Sequence, residues 1–227
     1  MLHTDKLFPN SSDNKKNYKG NEIYEVKLFE FIKDYSNFNE KELIGHAKFT
    51  QIEMGSNIVL QSLLSFFACF TNAKEILEIG TFTGASALAL ASGNKSAKIT
   101  SIEKFHEFAE VARANFIQAK IEGRINLLIG DAQTIISDLP NLFDLIFIDG
   151  DKKNYKNLFD LCINKLSEKG LLIVDDIFFH GDVLNEYQST EHGIGVLALL
   201  DHIKTQKQKY RYSILPISNG VLLLAKS

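Results

Sequence analysis

Three acidic residues, Asp149, Asp175 and Asp176, close two apolar runs of the chain, "DLIFIDGDKKNY" and "GLLIVDDIFFHGDV". Carboxylates brought close together repel and raise one another's pKa, and a hard divalent cation with oxygen ligands relieves both effects. The three are therefore expected to share one ion, Mg2+ in the first place, with Mn2+ or Ca2+ able to use the same donors. Lys152 follows Asp149 closely enough to reach the same place, where a lysine beside a cation and an acceptor oxygen serves as base or electrostatic anchor. Asp149 and Lys152 are thus the candidate catalytic pair. Asp151 and Asp182 read as loop or capping residues. His180 is a further candidate for metal or substrate, whereas His192 and His202 read as facing solvent or packing gaps.

A second constellation lies upstream, in "EILEIGTFTGASALALA" from Glu75 to Ala91. Its glycines, Gly80 and Gly84, are spaced Gly-x-x-x-Gly, so the GxGxxG dinucleotide fingerprint is absent. Glycines here still let backbone approach a ligand at the carboxyl end of a strand. Ser86 stands at the following helix N-terminus, where free N–H groups favour a carboxylate. Glu78 is a lone charge in an apolar strand, costly unless it meets a cation or a donor. A ligand carrying an ammonium and a carboxylate uses both features, which describes an amino acid or S-adenosylmethionine. Glu78 taken alone reads as well as a strand-end carboxylate that accepts backbone N–H bonds. Glu103 ends the next apolar run, about 20 residues past the glycine loop, where an acid typically binds ribose hydroxyls. Gly130–Asp131–Ala132 ends the run after that, in a turn able to line an adenine ring. Glu103 and Asp131 each read alone as helix caps; their repetition at successive strand ends favours a cofactor crevice.

The elements that must position these residues alternate regularly. Strands are expected at Glu75–Ile79, Lys98–Ile102, Ile125–Ile129, Leu142–Ile148 and Gly170–Val174. Helices are expected at Ala85–Ala91, Glu107–Ile117, Ala132–Leu139, Tyr155–Leu166 and Gly195–Thr205. Tyr210–Pro216 and Val221–Ala225 read as a hairpin turned at Asn219–Gly220. The whole is an α/β fold, a seven-stranded, mostly parallel Rossmann-like sheet with a C-terminal antiparallel hairpin. Upstream, helices are expected at Glu22–Tyr35, Glu40–Phe49 and Ser56–Phe70. They make 1–70 a helical extension to a catalytic core at 74–227, within a single domain over 1–227. Their large apolar residues, Phe29, Phe31, Phe66 and Phe67 among them, suit a second copy of the chain, and a homodimer is expected.

Composition narrows the classes. The 227 residues are 45% hydrophobic and 23% charged, as in an ordinary globular protein, and carry a formal net charge of −3, which offers no electrostatic grip on nucleic acid. The uncharged window Met54–Ala73 is interrupted by Gln61, Ser62 and Ser65 and reads as a buried helix, so no membrane partner is expected. Cys69 and Cys162 lie in apolar helical patterns outside any CxxC and read as buried thiols of a reducing compartment. With no apolar signal-peptide core near the start, a cytoplasmic location is expected. HExxH, GxSxG and P-loop patterns are absent from the sequence.

Together "LEIGTFTGASALALA", "TSIEKFHEFAEVARANF", "FDLIFIDGDKKNY" and "GLLIVDDIFFHGDV" resemble the class I O-methyltransferases of the caffeoyl-CoA and catechol type, over roughly residues 50–225. The resemblance implies transfer of a methyl group from S-adenosylmethionine to a hydroxyl of a small vicinal diphenol or related aromatic acceptor, with a divalent metal and commonly as a dimer. It carries cofactor residues to Glu78, Ser86 and Glu103, beside Gly80, Gly84, Asp131 and Ala132 read above, the metal ligands to Asp149, Asp175 and Asp176, and the active-site lysine to Lys152. Asp149 stands between cofactor and metal. The chain departs from the family in having Ala85 for Tyr, Gly150 for Ala, Asp176 for Asn, Phe179 for Trp and His180 for Gly. Most of these changes touch the acceptor side. Other classes compatible with the pattern are transfer to a different hydroxylated metabolite, a nitrogen or RNA, and S-adenosylmethionine binding without catalysis.

Overall fold

A computed structural model of the chain describes residues 58–140 and 142–227. All of them fall in a unit spanning Asn39–Ser227. The helices expected at Glu22–Tyr35 and Glu40–Phe49, with Phe29 and Phe31, lie outside the described residues.

The chain order is α1 (Ile58–Phe70), β1 (Glu75–Ile79), α2 (Ala85–Gly93), β2 (Lys98–Glu103), α3 (His106–Gln118), β3 (Ile125–Ile129), α4 (Ala132–Asp138), β4 (Phe143–Ile148), α5 (Tyr155–Lys165), β5 (Leu166–Val174), α6 (Glu191–Thr205), β6 (Tyr210–Leu215) and β7 (Val221–Lys226). The strands form one sheet in the order β3-β2-β1-β4-β5-β7-β6. The first five pair in parallel; β7 is antiparallel to both β5 and β6. This is the sheet and hairpin expected from the sequence.

Continuous apolar runs fit strands covered on both faces. In β4, Leu145, Ile146, Phe147 and Ile148 are wholly buried, and Ile146 and Ile148 join Tyr155, Phe159 and Cys162 of α5 in the main core. On the other face, Ala85–Ala91 of α2 are all buried, which the small side chains permit between the sheet and α1. Two boundaries differ from expectation by four residues each. Strand β5 begins at Leu166 rather than Gly170, because Leu166 pairs with Phe143 and Leu171 with Leu145, and the polar stretch between is an irregularity in the ladder. Helix α6 begins at Glu191 rather than Gly195, its first turn capped by the Thr190 hydroxyl, which accepts from the Gly193 N–H at 2.9 Å. The hairpin loop runs from Pro216 to Gly220 between Leu215 and Val221, with left-handed backbone at Ser218 and Gly220. Cys162 is buried, as expected, but Cys69 is exposed, because it lies on the side of α1 away from the buried Leu60, Leu64 and Ala68.

Candidate active site

Backbone bonds continue the parallel ladder just past the strand ends and fix the loops that carry the candidate residues. The Gly80 N–H donates to Ile102 O at 2.9 Å, Gly130 N–H to Glu103 O at 2.8 Å, Asp149 N–H to Ile79 O at 2.8 Å and Asp175 N–H to Ile148 O at 3.0 Å. All four loops therefore open on one edge of the sheet. Between them lies a cavity of about 750 Å³, lined by Gly80, Glu103, Asp131, Ala132, Asp149, Lys152, Asp175 and Asp176. Eight of the predicted site residues thus meet around one space.

Glu78, Gly84 and Ser86 do not line it. Glu78 is fully buried beneath the glycine loop, where one carboxylate oxygen accepts from the Ser101 hydroxyl and Ser86 also bonds to it. Ser101 in turn shares a 2.5 Å hydrogen bond with Thr81. The other oxygen, Glu78 Oε1, has no hydrogen-bond partner. Burial is the main force on this carboxyl and, against its two serine partners, pushes its pKa up to about 7. Ser101 was not singled out by sequence reasoning, yet the signal exists: it is a polar residue in an apolar strand, in direct register with Glu78.

The glycine loop is shaped by close approach. Gly80 and Gly84 have φ of +93° and +91°; a Cβ at Gly80 would lie 2.2 Å from the Asp149 carbonyl, and one at Gly84 would lie 2.5 Å from the Phe116 ring. Their first requirement is thus from protein packing rather than from a ligand. Phe82, between them, is also left-handed at φ 49°. Its N–H donates to Glu103 Oε2 at 2.7 Å, while Glu103 Oε1 accepts from Phe105 N–H at 2.9 Å. Glu103 therefore ties the glycine loop to the start of α3 and still borders the cavity. Phe82 and Phe105 each meet Phe108 edge-to-face, at 4.7 and 5.9 Å, and all three rings line the cavity. This aromatic shelf was not foreseen from the sequence. Asp131 caps α4 through Gln133 N–H at 2.9 Å, so the capping reading holds for it, and it borders the cavity as well.

Across the cavity the charges crowd. Asp149, Asp175 and Asp176 each offer an oxygen within 4.8 Å of the others. Lys152 Nζ sits 2.6 Å from Asp149 Oδ1 and 2.9 Å from Asp176 Oδ2. Asp175 Oδ1 is buried with no hydrogen-bond partner. Desolvation first, then the Asp149 and Asp176 charges, push the Asp175 pKa up to about 8. Desolvation likewise raises that of Asp149, against the pull of Lys152. Burial works against the Lys152 charge, but Tyr155, Asp149 and Asp176 outweigh it and hold the ammonium firmly protonated. Three carboxylates and one ammonium leave a formal charge of −2, and an all-oxygen donor set with one orphaned buried oxygen fits a hard dication. His180 lines the cavity without joining this cluster.

Asp151 is a capping residue, as expected, accepting from Lys153 N–H and the Asn154 amide at 3.3 and 2.9 Å. Asp182 is a buried loop residue. His202 packs edge-on to Phe159 and pairs with Asp160 at 2.9 Å. His192 differs from expectation: it lines the cavity, with its ring against Phe179 at 5.2 Å between centroids. The helical pattern concealed it because the expected helix began only at Gly195, and Gly193 hid the first turn of α6.

Residues 35–227 match the family described as O-methyltransferase. Over 210 residues the chain is 29% identical to a probable caffeoyl-CoA O-methyltransferase of Dictyostelium discoideum, covering 88% of this chain and 87% of that protein. It is 33% identical over 128 residues to a catechol O-methyltransferase of Mycobacterium tuberculosis, covering 54% of this chain and 57% of that one. In fold, a Podospora anserina methyltransferase solved with SAH bound superposes with a TM-score of 0.82 at 22% identity, over 91% of this chain and 97% of the other.

Proposed function

The chain belongs to the O-methyltransferase family, and from that premise we propose that it moves a methyl group from S-adenosylmethionine to a hydroxyl of a small catechol-like or related aromatic acceptor. The proposal includes a divalent cation, Mg2+ before Mn2+ or Ca2+, held by Asp149, Asp175 and Asp176. The observation that carries it is the division of one cavity into an aromatic, carboxylate-edged half and a half where three carboxylates meet one half-buried lysine.

The cavity volume of about 750 Å³ lies within the usual range of small-molecule sites, roughly 300–1,000 Å³. Phe82, Phe105 and Phe108 offer apolar faces to a nucleoside. Glu103 retains acceptor lone pairs for ribose hydroxyls, while Asp131 and Ala132 border the same end. Glu78, with Gly80, Gly84 and Ser86 around it, supports a methionine end: an orphaned buried oxygen beneath the glycine loop favours a nearby ammonium. S-adenosylmethionine supplies an electrophilic methyl group on a sulfonium. The cation supplies positive charge that favours the ionised form of an acceptor hydroxyl, whose pKa in water is near 10. Lys152 keeps its proton on Nζ, so its part is to hold negative charge on the acceptor oxygen rather than to take the proton, which passes to solvent as the acceptor ionises. Phe179 and His192 border the acceptor half.

The test is methyl transfer from labelled S-adenosylmethionine to a panel of catechols in metal-stripped protein, before and after Mg2+ is restored. Activity is expected only with the metal. Full activity in verified metal-free protein rules out the metal, and failure to bind S-adenosylmethionine rules out the whole reading.

We take the chain as a single domain over 1–227, with 1–70 as a helical extension and 74–227 as the catalytic core, working as a homodimer in the cytoplasm. On α1, Phe66 and Phe70 stack at 5.7 Å and are 58% and 75% exposed, an apolar surface that suits a second copy. Among the described residues, no helix is long and apolar enough to cross a membrane. Light scattering over a dilution series checks the dimer; a monomeric mass at every micromolar concentration overturns it.

A further inference from the structure

Asp182 is buried in the short turn Phe179–Leu184, does not line the cavity, and takes no part in the reaction proposed above. It is nevertheless the most fully engaged carboxylate among the described residues. Its Oδ1 accepts from Ser189 N–H at 2.8 Å and from the Ser189 hydroxyl at 2.9 Å; its Oδ2 accepts from Thr190 N–H at 3.1 Å and from the Thr190 hydroxyl at 2.8 Å. These donors, the Ser189 N–H foremost, hold its carboxyl well below the usual carboxylate range. An ordinary loop needs no such over-determined anchor.

What the anchor holds is strained and faces the cavity. Phe179 and His180 have φ of 40° and 52°, a left-handed region that non-glycine residues adopt only when their surroundings impose it. Both line the cavity. The anchor also reaches α6. The Thr190 hydroxyl that donates to Asp182 accepts the Gly193 N–H at 2.9 Å, and a Cβ at Gly193 would stand 2.0 Å from Asp182 Oδ2. One helical residue pair further, a Cβ at Gly195 would stand 2.4 Å from the Lys152 carbonyl. The first turn of α6 is therefore wedged between Asp182 and the backbone that carries Lys152. His192 sits in that turn, 5.2 Å from the Phe179 ring and with Nε2 3.7 Å from Asp151 Oδ1.

We propose that Asp182 is a positioning residue for methyl transfer: through Thr190 and the first turn of α6 it sets the Phe179–His192 wall against the Lys152 loop, and so determines which acceptor rings fit. This rests on the aromatic-acceptor reading above. Asp182 touches no reacting atom; it acts through His192 and Phe179. Loosening the anchor shifts the wall on the acceptor side and leaves the Glu103 side, which it does not contact, as it was.

The experiment uses the full chain with Mg2+ and S-adenosylhomocysteine, and 3,4-dihydroxybenzoate as the acceptor probe. Calorimetry reads both affinities in the wild type, in Asp182→Asn and in Thr190→Val, while the His192 ring signal, identified from His192→Gln, is followed by NMR. Asp182→Asn is expected to weaken the probe about ten-fold and to leave S-adenosylhomocysteine within about two-fold. Thr190→Val removes one hydroxyl, keeps the carboxylate, and is expected to weaken the probe about three-fold in the same selective way. In both variants the His192 signal moves, and Thr190→Ser restores signal and affinity. Equal losses of probe and S-adenosylhomocysteine in both variants overturn the proposal in favour of a purely structural role. An unchanged probe affinity in folded Thr190→Val, or an unmoved His192 signal, overturns it as well. A wild type that binds S-adenosylhomocysteine but no diphenol overturns the acceptor reading and this inference with it; a wild type that binds both, with variants that match it, overturns this inference alone.

Discussion

On the β2–β3 side of the cavity, Glu103 has both oxygens engaged by backbone N–H groups, and Asp131 caps a helix. On the β4–β5 side, three carboxylates face a single ammonium, and Asp175 Oδ1 has no partner. Around Glu103 and Asp131 the polar groups are met by protein alone; around Asp149, Asp175 and Asp176 the site is electrically unfinished. The difference separates two tasks. A half whose polar groups are already satisfied is organised before a ligand arrives and loses little on binding it. A half with a −2 residue of charge is organised only when a cation completes it. Cofactor binding should therefore be indifferent to metal, and catalysis should not.

The largest expected effect comes from breaking the unfinished half. Asp175→Ala should reduce methyl transfer by about 10³-fold or more, because the acceptor loses both its orientation and its stabilising charge. S-adenosylmethionine affinity should stay within about three-fold, since Asp175 is not among the groups assigned to the cofactor. Calorimetry and a radiolabel assay on the same preparation check the split. Parallel loss of both would mean that the two halves are not separable.

Breaking the finished half should do the reverse. Glu103→Ala removes an acceptor for ribose and also strands the Phe82 and Phe105 N–H groups, so S-adenosylmethionine affinity should fall about ten-fold or more. The left-handed Phe82 should also relax, and the thermal midpoint should drop. The residual activity should keep its dependence on Mg2+. A variant that loses its metal dependence would erase the distinction between the two sides of the cavity.

Much of this was legible from the sequence, for a physical reason. Parallel strands buried on both faces are written as unbroken apolar runs, so residues that end them, Glu103, Asp149 and Asp175, are visible as charges at fixed places. What escaped was set by contacts between distant elements. The Phe82–Phe105–Phe108 shelf needs the glycine loop and α3 to be brought together. His192 was concealed because the expected helix began only at Gly195, past Gly193, and the reason for both glycines, the close approach of Asp182 and of the Lys152 backbone, exists only in the fold. Glu78 was visible as an anomaly, but its position behind the cavity, bonded to Ser101 and Ser86, was not.

The metal-free protein should reveal its unfinished half in its response to pH. Asp175 is pushed up to about 8 and Glu78 to about 7, against ordinary values of 3.8 and 4.5. Between those limits the folded state holds protons that the unfolded chain has released, so stability is fully present below the ordinary values and is lost as pH rises toward 8. Each loss of about 1 kcal/mol should lower the thermal midpoint by roughly 2–4 °C in a chain of this size. Mg2+ should flatten the Asp175 part of the slope, because it favours that carboxylate in its charged form, and should leave the Glu78 part. Asp175→Asn should flatten it without metal. Melting curves between pH 5 and 8.5, with and without MgCl2, decide; a metal-free midpoint that climbs over this window contradicts the charge imbalance.

The smallest effect tests how much of that imbalance the chain requires. Asp176 stands where the resemblance has Asn, and it gives Lys152 one of its two carboxylate partners at 2.9 Å. Asp176→Asn keeps a ligand oxygen but removes one negative charge, which leaves two carboxylates and one ammonium, formally −1. Metal affinity should fall several-fold, on the order of 3–10, with turnover at saturating Mg2+ nearly unchanged. The same substitution lessens the repulsion on Asp149 and Asp175, to both of which Asp176 contributes. The pH dependence of the metal-free midpoint should therefore become shallower, though less so than in Asp175→Asn. Titration of Mg2+ against activity, read beside those melting curves, separates the two consequences. Turnover that collapses even at saturating metal would show that Asp176 acts on Lys152 or the acceptor directly, and that its charge is more than an adjustment to the metal site.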